Sequence, residues 1–407
     1  MGAFSIFSSK RRRPKSREEK ASAQYESYAK WTGYAKYLTL FLLILFIIFS
    51  FTFFNETLSM DNFRYMLKFL SVNNENTAKD GLSINFDSAG RVIAVMAGGD
   101  LTVVDTNGVQ IFDISGQRFL KDTGFYSDPM CLAAGNNIVV SDRGGLVLNI
   151  YSVYAKLFTK TFSYPINDLA ASENGSFAVL TAAKGYRSGI EVYDSEFRII
   201  YYYYFADRYT SGIGLSPDGK RAAACTLTNT PDGRFLGGLY VFDVTDAGVM
   251  ISFEYPDEIP WKVWFLKDGS FLFMTNKAVR IYERQGGETG KISFGDQMPK
   301  MFAFTDDYIA LSLATAGLSN ASTLKFYNSA GEFLGEKSYR NDVPAMDIIG
   351  DCAYIYSVGT LYTIKLPDIL VVKQEDAGLT YISALYDKSG GRVVFLYSGK
   401  AVFYKNE

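Results

Sequence analysis

From Arg91 to the C-terminus, apolar and polar positions alternate with period two in segments of four to eight residues. Gly, Asp and Asn turns separate them, and this pattern predicts short half-buried strands. One unit recurs. Its third strand reads VQIFDISG from Val109, IEVYDSEF from Ile190, LYVFDVTDAG from Leu239, VRIYERQGG from Val279 and LKFYNSAG from Leu324. Its first pair of strands turns on SENG at Ser172, SPDG at Ser216 and LKDG at Leu266, with Gly175, Gly219 and Gly269 at the positive-φ position.

First-strand anchors fall near Cys131, Asp168, Ile213, Val263, Phe302, Asp347 and Ser383, spaced by 37, 45, 50, 39, 45 and 36 residues. That is the length of a four-stranded propeller blade. A blade cannot bury both faces alone, so its neighbours complete its core and the ring must close. The segment 82–124 holds five strand-like pieces and the last unit only three. Moving LSINFD, residues 82–87, to the outer edge of the last unit makes every unit four-stranded and pairs two otherwise open edges. The expected fold is all-β, an eight-bladed β-propeller over residues 82–407, with seven blades as the runner-up.

Before the repeat the pattern differs. YLTLFLLILFIIFSFTFF, residues 37–54, carries no charge and no proline. As a helix it spans about 27 Å, near the thickness of a hydrocarbon core. It is too long for a signal-peptide core and lacks a small-residue cleavage motif, and it has no polar face for a surface helix. It is expected to be a single transmembrane helix. Residues 1–36 hold nine Lys/Arg and three Asp/Glu, with Arg11, Arg12, Arg13, Lys15 and Arg17 in one cluster. Positive flanks stay inside, so 1–36 reads as a cytoplasmic tail, with the propeller extracellular at the plasma membrane. The cluster also suits anionic headgroups of the inner leaflet. Residues 55–81 read as a short helix and linker, with Met60, Phe63, Met66, Leu67 and Leu70 at helical spacing.

Composition narrows the chemistry. The 407 residues contain no histidine, which removes histidine triads, histidine general bases and histidine zinc sites. Three cysteines cannot form an all-cysteine zinc site. Cys131, Cys225 and Cys352 read as unpaired side chains, with one disulfide and a free thiol as the alternative. No phosphate-binding loop, GxSxG elbow or calcium loop is present, so no catalytic residue, metal or cofactor is assigned. The acidic remainder of the chain, at −8, and the lack of a recognition fold argue against nucleic acid.

Two surfaces remain as candidates. Three second-to-third strand connections read as long loops on one face: 181–189, 226–238 and 313–323. They carry Tyr186, Arg187, Arg234 and Phe235, residue types that anchor interfaces, although such loops are also ordinary polar excursions. At the channel mouth, Asp168, Lys262, Lys300 and Asp347 lie near first-strand starts. They form either a ligand site or a solvated funnel. Tyr201, Tyr202, Tyr203 and Tyr204 should alternate between the two faces of an outer strand.

The SPDG turn at 216–219 and the aromatic-Asp third strands, such as VFD at 241–243, resemble WD40-like and quinoprotein-like propellers. Basic tail, span and propeller together look like an uncharacterised family of membrane-anchored propellers from Gram-positive bacteria. The resemblance implies the fold over about 82–407. It carries over no catalytic residue. The tryptophan docking pattern of quinoprotein enzymes is absent, since only Trp31, Trp261 and Trp264 exist. The expected function is a scaffold binding a protein or cell-envelope polymer. The alternative is a glycan lyase or hydrolase using carboxylates at the channel mouth.

Overall fold

The structure is a computed structural model describing residues 31–32, 34–46 and 81–405, apart from 247, 316–320 and 379. The chain divides into two compact units, Met1–Phe69 and Leu70–Glu407.

In the first unit, residues 34–46 form a helix. Among the described residues no helix is long and apolar enough to cross a membrane. The second half of the expected span, residues 47–54, lies outside the described residues. So do the basic cluster from Arg11 to Arg17 and the short helix expected after residue 55.

The second unit is an eight-bladed propeller of eight four-stranded antiparallel sheets. Blades one to seven cover 93–123, 129–161, 168–205, 209–256, 260–293, 297–339 and 345–376, each running from its inner to its outer strand. Blade eight runs outward through Tyr381–Asp387, Arg392–Tyr397 and Lys400–Lys405, then Leu82–Asn85. That last pairing has the register Leu82↔Phe403, Ser83↔Val402, Ile84↔Ala401 and Asn85↔Lys400. The excess strand at the N-terminal end therefore closes the ring, as the strand count predicts.

Burial follows the alternation. Each hydrophobic cluster joins two adjacent blades, so the core is a ring of seams. Blades three and four share Leu180, Ile190, Val192, Ile213, Ala224 and Phe242. Blades eight and one share Ile84, Phe403, Leu396, Leu101 and Val103. Cys131, Cys225 and Cys352 are buried free thiols in blades two, four and seven. Burial pushes the Cys131 and Cys225 thiols far up, away from the thiolate form.

The recurring turn residues have specific tasks. Asp113, Asp194 and Asp243 close their third-strand ends by accepting backbone N–H groups at 2.8–2.9 Å. The first turns latch neighbouring blades. Asn174 Nδ2 donates to Asp218 O at 2.6 Å, and Ser172 Oγ donates to Pro217 O at 2.9 Å. A Cβ at Gly219, φ +70°, would lie 2.5 Å from Asn174 Nδ2, so turn geometry and blade packing both require glycine there.

Candidate functional site

The face carrying the second-to-third strand connections differs from expectation in one respect. Two of the segments read as loops are β-ribbons. In blade three, Phe177–Ala183 and Tyr186–Tyr193 leave only residues 184–185 between them. In blade four, Arg221–Asn229 and Phe235–Asp243 pair out to Asn229↔Phe235, around a turn at 230–234. The Thr, Asn and Gly residues of these segments look like loop composition, yet the ladder continues through Thr226↔Gly238 and Thr181↔Gly189. In blade six the strands stop at Thr315 and resume at Ser322, and residues 316–320 lie outside the described residues.

The ribbon tips display the expected residues. Tyr186 is 46% exposed and Phe235 50% exposed. Arg187 reaches across to blade four, where its guanidinium sits 4.8 Å from the Tyr209 ring centroid and bonds the phenol oxygen. Beneath it, Ser188 Oγ donates to Arg208 O at 2.9 Å. Arg234 is held by Asp232 at 2.8 Å and Asp257 at 3.4 Å. The arginines thus brace the ribbons, and the aromatic rings face solvent.

The channel-mouth candidates separate into two ion pairs and one lone acid. Asp168 opens the inner strand of blade three. It accepts Ile213 N–H of blade four at 3.0 Å and the Lys262 ammonium of blade five at 2.5 Å. Three inner strands are tied at one carboxylate. The strand between them passes at Gly212, where a Cβ would stand 2.7 Å from Trp261 O. Lys300 pairs with Asp342 at 3.1 Å, and this bond holds the Asp342 carboxyl below its usual range. Asp347 accepts Ala384 N–H of blade eight at 2.8 Å. Among the described residues no lysine pairs with it, and desolvation pushes its carboxyl up to about 6.

Two features were not foreseen. On the opposite face, Lys388 of blade eight pairs with Glu173 of blade three. They border a cavity of about 380 Å³ that Gly98, Gly99, Gly135 and Asn136 also line. On the flank of blade three, Tyr204 lies across Gly189, between Tyr186 and Tyr202. The pattern carried the alternation of the tyrosines: Tyr201 and Tyr203 pack on Phe242 of blade four, leaving Tyr202 and Tyr204 on the other side. It carried no sign of what Gly189 would meet.

Comparison with known proteins places this geometry. No curated protein sequence matches the chain. Among solved structures it is similar to BamB from Moraxella catarrhalis, with TM-score 0.55 and 11% identity over 81% of this chain and 98% of that one. It is also similar to the C-terminal WD40 domain of Sif2, with TM-score 0.56 and 12% identity over 81% and 98% of the two chains. The Dos1 propeller gives TM-score 0.55 and 12% identity over 80% and 95%. At these identities the likeness is one of fold. The model of DUF5711, a family of unknown function, matches residues 71–383, and the chain belongs to that family.

Proposed function

We propose that this chain is a membrane-anchored scaffold whose propeller binds an envelope protein or polymer at the ribbon face. The observation that carries the reading is the pair of half-exposed rings, Tyr186 and Phe235, on ribbons whose ladders run to their tips. A rigid scaffold displaying aromatic anchors loses little entropy on binding. The uncharged stretch 37–54 supplies the bilayer anchor, and the cluster from Arg11 to Lys15 and Arg17 keeps the N-terminus cytoplasmic. The propeller is then outside the plasma membrane.

The alternative, glycan cleavage, has less support. Glycoside hydrolysis generally uses two carboxyl groups flanking one bond. Asp168 and Asp342 are each engaged by a lysine, which leaves Asp347 without a second free carboxylate among the candidates. Alanine at Tyr186, Arg234 and Phe235 together is expected to remove the main crosslinked partner from a pull-down on intact cells, with the melting temperature of the variant near that of the parent. Recovery of the same partner in the same yield would place the binding surface elsewhere.

A further inference from the structure

The flank of blade three carries a row of three tyrosines on its blade-two side. Gly189 makes the bed for the middle one: a Cβ there would stand 2.1 Å from Tyr204 Cδ1, so the ring can lie on the strand only because the residue is glycine. Tyr204 Oη donates to Glu191 at 3.1 Å, and Glu191 is itself held by Lys160 at 3.0 Å and by the Tyr193 hydroxyl. Burial pushes the Glu191 carboxyl up, but the bonds from Tyr193 and Lys160 outweigh it and hold the group below its usual range. The middle ring is therefore fixed, and the charges beneath it are closed upon one another.

Tyr186 and Tyr202 flank it, with centroids 5.4 Å and 5.5 Å from that of Tyr204. The outer two rings are thus at most about 11 Å apart. They are 46% and 62% exposed. The row offers ring faces and the phenol O–H donors of Tyr186 and Tyr202, the Tyr204 hydroxyl being spent on Glu191, and the charges of the Lys160–Glu191 pair answer each other.

We infer that this row, Tyr186–Tyr204–Tyr202, is a docking strip for a proline-rich segment of a partner protein in the polyproline II conformation. Two properties of that ligand match. Its repeat is three residues at about 3.1 Å each, so equivalent prolines recur roughly every 9 Å, a spacing that fits within the upper bound on the separation of the outer rings. Its backbone carbonyls have no internal partners and its prolines have no N–H, so it presents acceptors to a surface that presents phenol donors. Such segments enter aromatic-lined grooves at little entropic cost, because the ligand helix is already formed. The strip shares Tyr186 with the ribbon face but not Arg187, Arg234 or Phe235, and the inference does not rest on the membrane reading.

The test uses the detergent-solubilised full chain and fluorescein-labelled decaproline, followed by polarisation. Saturable binding is expected, with none to a Gly/Ser peptide of equal length. Tyr202→Ala should weaken it at least tenfold without changing the melting temperature, and Tyr202→Phe should weaken it less. Arg234→Ala with Phe235→Ala should leave decaproline binding intact, so failure of the ribbon surface and failure of the strip read out separately. The inference is overturned by absence of decaproline binding, by equal binding of the Gly/Ser peptide, or by indifference to Tyr202→Ala. Displacement of decaproline by chitohexaose with the same Tyr202 dependence would also overturn it, as that would make the row a sugar platform.

Discussion

Deletion of residues 401–407 is expected to abolish cooperative folding of the propeller. The deletion takes away the body of Lys400–Lys405, the strand between Arg392–Tyr397 and Leu82–Asn85. Phe403 is 1% exposed, and Val402 and Ala401 are also buried. Without that strand, Ile84 and Phe86 lose the edge that holds them in the seam between blades eight and one. Losing the burial of Val402 and Phe403 with the strand, and of Ile84 and Phe86 beside it, at about 1.5–3 kcal/mol each, is comparable to the roughly 5–15 kcal/mol that separates a folded domain from its unfolded chain. The loss also uncovers the buried Arg392–Asp387 pair at 2.8 Å, since the Arg392 guanidinium lies 5.7 Å from the Phe403 ring centroid. Circular dichroism melts and limited proteolysis read the outcome: a broad transition and rapid cleavage, against a sharp transition and resistance for the full chain. Single replacement Phe403→Ala should cost about 3–5 kcal/mol and keep the transition cooperative.

The second large effect concerns Asp347. Its carboxyl is pushed up to about 6 by desolvation, whereas an unfolded aspartate titrates near 3.9. Between those values the folded state holds a proton that the unfolded state has released. Stability contributed by this group therefore falls as pH rises from about 4 to about 6, and the cost stays in full above that. Asp347→Asn keeps an oxygen to accept Ala384 N–H and removes the ionisation. The variant should match the parent at pH 4 and exceed it at pH 8 by no more than about 3 kcal/mol. Urea titrations at both pH values measure this difference, and taking it between variant and parent cancels the carboxylates whose ion pairs act in the opposite direction. Equal gains at both pH values would mean that Asp347 ionises normally in the fold.

The contrast between Asp347 and Asp168 shows where sequence reading stops. Both stand near first-strand starts, and the repeat places both at the inner wall. The lysine that answers Asp168 lies 94 residues away, two blades on, and the pairing is set by how the blades stack. Strand existence, blade count and the exchanged edge were legible because alternation, turn glycines and the five-against-three strand excess are local features of the chain. The ribbons of blades three and four were not, because TLTN and FLGG have loop composition. Their pairing depends on glycines accepting close neighbours: a Cβ at Gly237 would lie 2.5 Å from Glu258 O. The row of tyrosines was half legible. Alternation separates Tyr202 and Tyr204 from Tyr201 and Tyr203, while Gly189 beneath Tyr204 is a tertiary coincidence of two strands.

Ring closure is measured by a disulfide across the closing pair. Asn85 and Lys400 are exposed Cα partners on the last two strands of blade eight, and the native cysteines are buried. Asn85→Cys with Lys400→Cys should oxidise rapidly in the folded chain and raise its melting temperature, whereas Asn85→Cys with Val95→Cys should stay reduced. Oxidation of the second pair in place of the first would contradict a ring closed by its own N-terminal strand.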